Sequence, residues 1–168
     1  NTLHWEWSDN ATDELAYYLQ NNSSANVTTL LVNATFYTET NLTANTLYSR
    51  HISAANLLEN AYSETVGIYT LANPPAGLTG ISNSTTTISL NWTGSGTRYA
   101  VERASDSTGS WNYLKQWNDG LASASFSDTA LSAETTYYYR ISAYNGNGII
   151  TANSNPISVR TAPFLAGN

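Results

Sequence analysis

A seven-residue pattern occurs twice in this chain. Leu42-x-Ala44-x-Thr46-x-Tyr48 recurs as Leu131-x-Ala133-x-Thr135-x-Tyr137, with the two tyrosines 89 residues apart. Each copy runs straight into an alternating segment, LYSRHISAAN after the first and YYYRISAYN after the second. Registering the copies superposes Tyr48 on Tyr137, Ile52 on Ile141, Ala54 on Ala143 and Asn56 on Asn145. Self-similarity at that spacing means one folding unit present twice. The chain is therefore read as two modules in tandem, residues 1–73 and 74–161, with 162–168 a linker or the start of a further strand or domain. Modules of roughly 80–90 residues do fold alone, but with little core to spare.

The side chains available for those cores are aromatic. The chain has 5 Trp, 12 Tyr and 3 Phe, while charged residues make up only 11%, well below the usual share of about 25%. Lys115 is the sole lysine and the net charge is −6, so nothing here grips a phosphate backbone and nucleic acid is excluded as a partner. No apolar run is long enough to span a bilayer, so membrane insertion is not expected either. Cysteine and methionine are both absent; the missing Met suggests an internal or processed start at Asn1, and the lack of cysteine fits many compartments.

The alternation is that of strands. Ile88, Leu90 and Trp92 share one face of a run; Tyr99 and Val101 do so in the next, and Tyr137, Tyr139, Ile141 and Ala143 in a third. Seven such runs fall between Gly80 and Thr161, separated by turn signals. One of these, Asn145-Gly146-Asn147-Gly148, marks a hairpin, because primed turns require positive φ. No stretch sustains a 3.6-residue period, so the fold class is all-β with almost no helix.

The strand order, Trp92 near the end of the second strand, Tyr99-x-Val101 on the third and Leu131-x-x-x-Thr135-x-Tyr137 before the sixth resemble a fibronectin type III domain. The resemblance covers about residues 74–161. It implies two immunoglobulin-like β-sandwiches in tandem, of the kind found in bacterial extracellular and cell-surface proteins. It also implies that Tyr137, and Tyr48 in the first copy, form tyrosine corners, largely buried, with each hydroxyl bonded to backbone a few residues upstream.

In the first copy Leu3, Trp5 and Trp7 match Ile88, Leu90 and Trp92, whereas nothing matches the strand that precedes Ile88. The first module thus lacks its own first strand, leaving the edge that carries Leu3, Trp5 and Trp7 uncovered. The groove is expected to be filled either by a segment upstream of Asn1 or by the 161–168 tail of a neighbouring copy, in which case Phe164 and Leu165 insert beside Trp5.

Chemistry is sparsely provided for. No nucleophile elbow, zinc helix or phosphate loop occurs, and the only histidines are His4 and His51, so no catalytic residue is assigned. Asp9-Asn10-Ala11-Thr12-Asp13-Glu14 gathers oxygen ligands but lacks the spacing and central glycine of a calcium loop, and reads as a turn. No metal and no cofactor are expected. Trp111, Tyr113 and Trp117 share one face of a strand; packing at the sandwich rim and a platform for a glycan or protein are the two readings. Tyr138 and Tyr144 form a second outward patch. The expected partners are neighbouring domains or copies of the chain itself, with a surface glycan or protein as a further possibility. Three functions fit: a non-catalytic spacer of a secreted or cell-surface protein, a subunit of a filament built by strand complementation, and an accessory module of a polysaccharide-degrading enzyme.

Overall fold

The computed structural model describes residues 1–164 and divides into two compact units, Asn1–Thr70 and Leu71–Asn168. Ala72 packs into the apolar core of the second unit, so that unit takes up the chain before Pro74.

The second unit is a seven-strand sandwich: β8 (Ala76–Ser82), β9 (Ile88–Thr93), β10 (Arg98–Ala104), β11 (Asn112–Lys115), β12 (Ser125–Asp128), β13 (Thr136–Tyr144) and β14 (Ile157–Arg160). One sheet is ordered β12-β9-β8 and the other β11-β10-β13-β14, all neighbours antiparallel. A single 3-10 turn at Trp117–Asp119 is the only helix among the described residues. Alternation places Ile88, Leu90 and Trp92 from one sheet against Tyr99, Val101, Tyr139, Ile141 and Ala143 from the other, and burying those side chains drives the two sheets together.

The first unit repeats the plan with fewer parts. Its strands are β1 (Leu3–Glu6), β2 (Ala16–Asn21), β3 (Asn26–Leu30), β4 (Phe36–Glu39), β5 (Leu47–Ala55), β6 (Asn60–Tyr62) and β7 (Val66–Tyr69). The larger sheet runs β3-β2-β5, with β6 and β7 sharing the far edge of β5. The smaller sheet holds β1 and β4 alone. Its core is Trp5, Tyr17, Leu19 and Ile52, with Leu3, Trp7, Tyr48 and Ile68 partly buried around them.

Both corners close in the same way. The Thr43 amide donates to the Tyr48 hydroxyl, and the Ser132 amide to the Tyr137 hydroxyl, each at 3.0 Å. The two rings are half-buried rather than fully covered, because the corner lies at the rim of the sandwich. Asn45 and Glu134, at equivalent points, both take positive φ (48° and 51°). The sequence reading missed a threonine at each corner. Thr70 donates to the Thr43 carbonyl and accepts from the Thr46 amide; Thr161 does the same with Ser132 and Thr135. Both threonines are buried. Tyr137→Phe is expected to cost about 0.5–1.5 kcal/mol, and Thr161→Val more, about 1–3 kcal/mol, because it orphans a buried donor and an acceptor together. Urea unfolding of the two variants tests that order.

The hairpin after β13 is not a tight primed turn. Gly148 (φ 76°) is its one residue of positive φ. The buried Asn145 side chain accepts from the amides of Asn147 and Ile149. A side-chain amide that satisfies the loop backbone lets the loop widen. Asn56 does likewise for Leu58 and Glu59.

Candidate functional site

A sheet edge is a row of N–H and C=O groups that needs a partner or a cover. In the second unit β8 covers the edge of β9, with Gly80 opposite Leu90 and Ser82 opposite Ile88, and it also packs on β14. In the first unit β1 pairs with β4 (Leu3 opposite Glu39, Trp5 opposite Tyr37), and no strand among the described residues pairs with its other edge.

Near that edge lies a cleft of about 210 Å³ lined by Trp5, Trp7, Ile52, Ser63 and Val66, among others. A second cleft of about 240 Å³ continues past Trp7 to Tyr17, Ala54 and Tyr62. In the second unit β8 occupies the matching edge, and a cleft of about 530 Å³ remains beside it between Pro74, Leu78, Ser154 and Ile157. Ser154 bonds the Ile141 amide as Ser63 bonds the Ile52 amide. Ile157 and Val159 lie opposite Tyr139 and Tyr137 as Val66 and Ile68 lie opposite Arg50 and Tyr48. Leu78 of β8 sits beside Ser154 and Ile157 and packs on the core. Of the residues expected at this edge, Trp5 is buried, and Leu3 and Trp7 are partly so. Phe164 is 75% exposed, and Leu165 lies outside the described residues.

Behind the cleft lies a charge cluster. Arg50 meets Glu39 through two bonds of 2.6 and 3.1 Å, and the Trp5 indole N–H donates to the same carboxylate at 3.1 Å. At the matching place in the second unit Asp128 accepts from the Tyr139 hydroxyl at 2.8 Å and from Arg103 at 2.9 and 3.1 Å. Burial, and after it the bond to Asp128, raises the Tyr139 hydroxyl far above the usual tyrosine range.

Trp111, Tyr113 and Trp117 belong to the outer face of the β11-β10-β13-β14 sheet, and it is Leu114 that joins the core. The Arg140 guanidinium stacks 4.3 Å from the Trp111 ring while forming a paired bond to buried Glu102. Arg98 stacks 4.3 Å from the Trp117 ring and donates to the Trp117 carbonyl. Trp117 also covers Tyr144 edge-on, so Tyr144 is buried rather than an outward patch. Tyr113 remains half exposed. Trp111 and Trp117 are thus each stacked with a cation, which leaves Tyr113 as the most accessible of the three.

The acidic loop sends its carboxylates to separate tasks. Asp9 accepts from the Ala11 amide and the Tyr17 hydroxyl, Asp13 from the Asn56 side chain and Glu14 from the Asn33 amide. Burial first, and then the Asp9 bond, raises the Tyr17 hydroxyl. This is the chemistry of a braced turn. Among the described residues no helix is long and apolar enough to cross a membrane.

Comparison with known proteins gives the same architecture. Chitinase A1 of Niallia circulans is 31% identical across 96% of this chain and 24% of its own length. Exoglucanase B of Cellulomonas fimi is 30% identical across 74% of this chain and 12% of its own length. The chain thus spans about a quarter or less of these curated relatives. A solved two-domain fibronectin type III segment of chicken tenascin overlies 94% of this chain and 90% of its own length, with 20% identity and a TM-score of 0.55; at that identity the likeness is one of fold. The family model of the fibronectin type III domain matches residues 73–160, just over half of the chain, which therefore belongs to the fibronectin type III family.

Proposed function

We propose that the chain is a non-catalytic accessory and spacer segment of a secreted, polysaccharide-degrading enzyme. Its modules would be residues 1–73 and 74–161, and 162–168 would be a linker or the start of a further strand or domain. The observation that carries this reading is that almost the whole chain recurs, at 31% identity, as a minor part of a chitinase, and most of it as a still smaller part of an exoglucanase. A segment shared by two enzymes with different names is the part that does not determine either reaction. The physical properties agree: antiparallel sandwiches locked at their corners by Tyr48 and Tyr137 can serve as folded spacers without needing a reactive group.

The test uses the chain alone with insoluble chitin and cellulose. The spacer reading expects no release of soluble sugar and no retention of the protein on either solid. Release of sugar would overturn it. Retention that is lost in Trp111→Ala or Tyr113→Ala would replace the spacer with a glycan-binding module that uses the outer aromatic face.

A further inference from the structure

A sheet edge that water reaches needs charge, proline or a cover to keep other strands away. β11, at the end of its sheet in the second unit, carries Lys115. β3 holds the same place in the first unit and has no charged residue. β4 ends the smaller sheet, and its one charged residue, Glu39, is turned inward to Arg50. No strand among the described residues pairs with the outer edge of β3 or of β4. From Leu15 to Thr38, a stretch that takes in all of β3 and most of β4, there is no Asp, Glu, Lys, Arg, His or Pro. Val27, Leu31, Val32 and Phe36 are exposed along it. An uncharged, apolar stretch with two free edges is a template for association unless something covers it.

The same stretch concentrates one motif. Asparagine followed two residues later by Ser or Thr is the acceptor for N-linked sugar. Of the 8 asparagines before Leu47, 6 begin such a triplet: Asn10, Asn21, Asn22, Asn26, Asn33 and Asn41. Of the 12 that follow, only Asn83 and Asn91 do. Ser and Thr make up about a quarter of the chain, so chance would give about two in the first group. The fold sorts these sites. The Asn21 side chain is tied to the amides of Ser23 and Ala25, and that of Asn26 to Gln20. Asn22, Asn33 and Asn41 are exposed, and no hydrogen bond engages their side chains among the described residues. Asn22 lies between β2 and β3, Asn33 between β3 and β4, and Asn41 just after β4, so the three bracket both bare strands.

We infer that Asn22, Asn33 and Asn41 are N-glycosylation sites whose glycans cover the outer edges of β3 and β4. The donor is a lipid-linked sugar diphosphate. Asparagine Nδ2 bonds to the anomeric carbon, the bond from that carbon to the phosphate oxygen breaks, and the lipid diphosphate leaves. The amide proton passes to a base, and nothing is oxidised or reduced. A bulky, hydrated chain at each end of an edge strand keeps a second strand from approaching, the task that charge performs elsewhere. The inference rests on the secreted placement in the spacer reading and on nothing else in it. Sugar release in the polysaccharide assay would overturn that reading and leave the glycans untouched.

Mass spectrometry of the chain secreted by its own source, intact and after proteolysis, tests the sites. Increments of whole sugar residues are expected on the peptides that hold Asn22, Asn33 and Asn41. A polypeptide of unmodified mass overturns the inference, as does sugar confined to Ser and Thr hydroxyls or to Asn83 and Asn91. Thr35→Ala combined with Thr43→Ala tests the covering role. It removes two acceptor triplets but leaves Asn33 and Asn41 in their left-handed turns (φ 61° and 59°) and the Thr43 amide on the Tyr48 hydroxyl. From the same source, the double variant is expected to lose two glycans while its circular dichroism is unchanged. In sedimentation it should self-associate at a concentration lower by about tenfold or more. Adding Thr29→Lys, a charge at an exposed position of β3, should reverse that association. A double variant as monomeric as the parent overturns the covering role, and so does association that Thr29→Lys leaves unchanged.

Discussion

Glu39→Ala is expected to destabilise the first unit by about 3–5 kcal/mol, the range for breaking one side of a buried ion pair. Three donors converge on that carboxylate, namely the Arg50 Nε and Nη2 groups and the Trp5 indole N–H, and the Glu39 and Arg50 side chains are only 9% and 10% exposed. Removing the acceptor strips the indole N–H and the Arg50 Nε and Nη2 groups of their partner, and the guanidinium keeps only the Nη1 bond to the Ser49 carbonyl. Domains of this size hold about 5–15 kcal/mol in all, so the variant should sit close to unfolding at room temperature. Asp128→Ala is the internal control. Its cation, Arg103, is 32% exposed and reaches water once the carboxylate is gone, so the main loss is the unpaired Tyr139 hydroxyl, about 1–3 kcal/mol. Tryptophan fluorescence in urea follows both, since Trp5 and Trp7 report on one unit and Trp92, Trp111 and Trp117 on the other. Equal losses in the two variants would show that solvent reaches Arg50 as readily as Arg103.

Most of the fold was legible because strand alternation is a local property. The runs ending at Trp92 and Tyr144 needed no partner to be recognised, and the repeated Leu-x-Ala-x-Thr-x-Tyr pattern placed both corners. The rest depends on partners distant in sequence. Thr70 and Thr161 look like ordinary strand ends until the corner folds onto them. Arg50 did carry a signal: it shares the inward parity of Tyr48 and Ile52, so a buried charge was implied, yet its partner Glu39 lies on the opposite sheet. Trp111, Tyr113 and Trp117 were expected on one face of a single strand, whereas β11 spans only Asn112–Lys115 and Trp117 begins the 3-10 turn; parity alone cannot say which face is inside. The ladder between β10 and β11 slips by one residue between Val101 and Glu102, and Leu114, not the aromatic set, turns to the core. That no strand among the described residues pairs with the other edge of β1 was legible only by comparing the two copies.

The two units should unfold separately, the first at lower urea. Four residues form the buried apolar cluster of the first unit and ten that of the second, and hydrophobic stabilisation scales with the area removed from water. Ile52 and Ile141 occupy the same place in the repeat, which makes them a matched pair of probes. Ile141 is fully buried, so Ile141→Ala leaves a closed cavity and is expected to cost the second unit about 3–5 kcal/mol, the upper part of the range for such truncations. Ile52 already borders both clefts, so the space left by Ile52→Ala opens to solvent and the cost to the first unit should lie nearer about 2 kcal/mol. Each substitution should move only its own transition, with Ile141→Ala drawing the second down toward the first. A single transition that both substitutions shift alike would show instead that the two units unfold as one cooperative body.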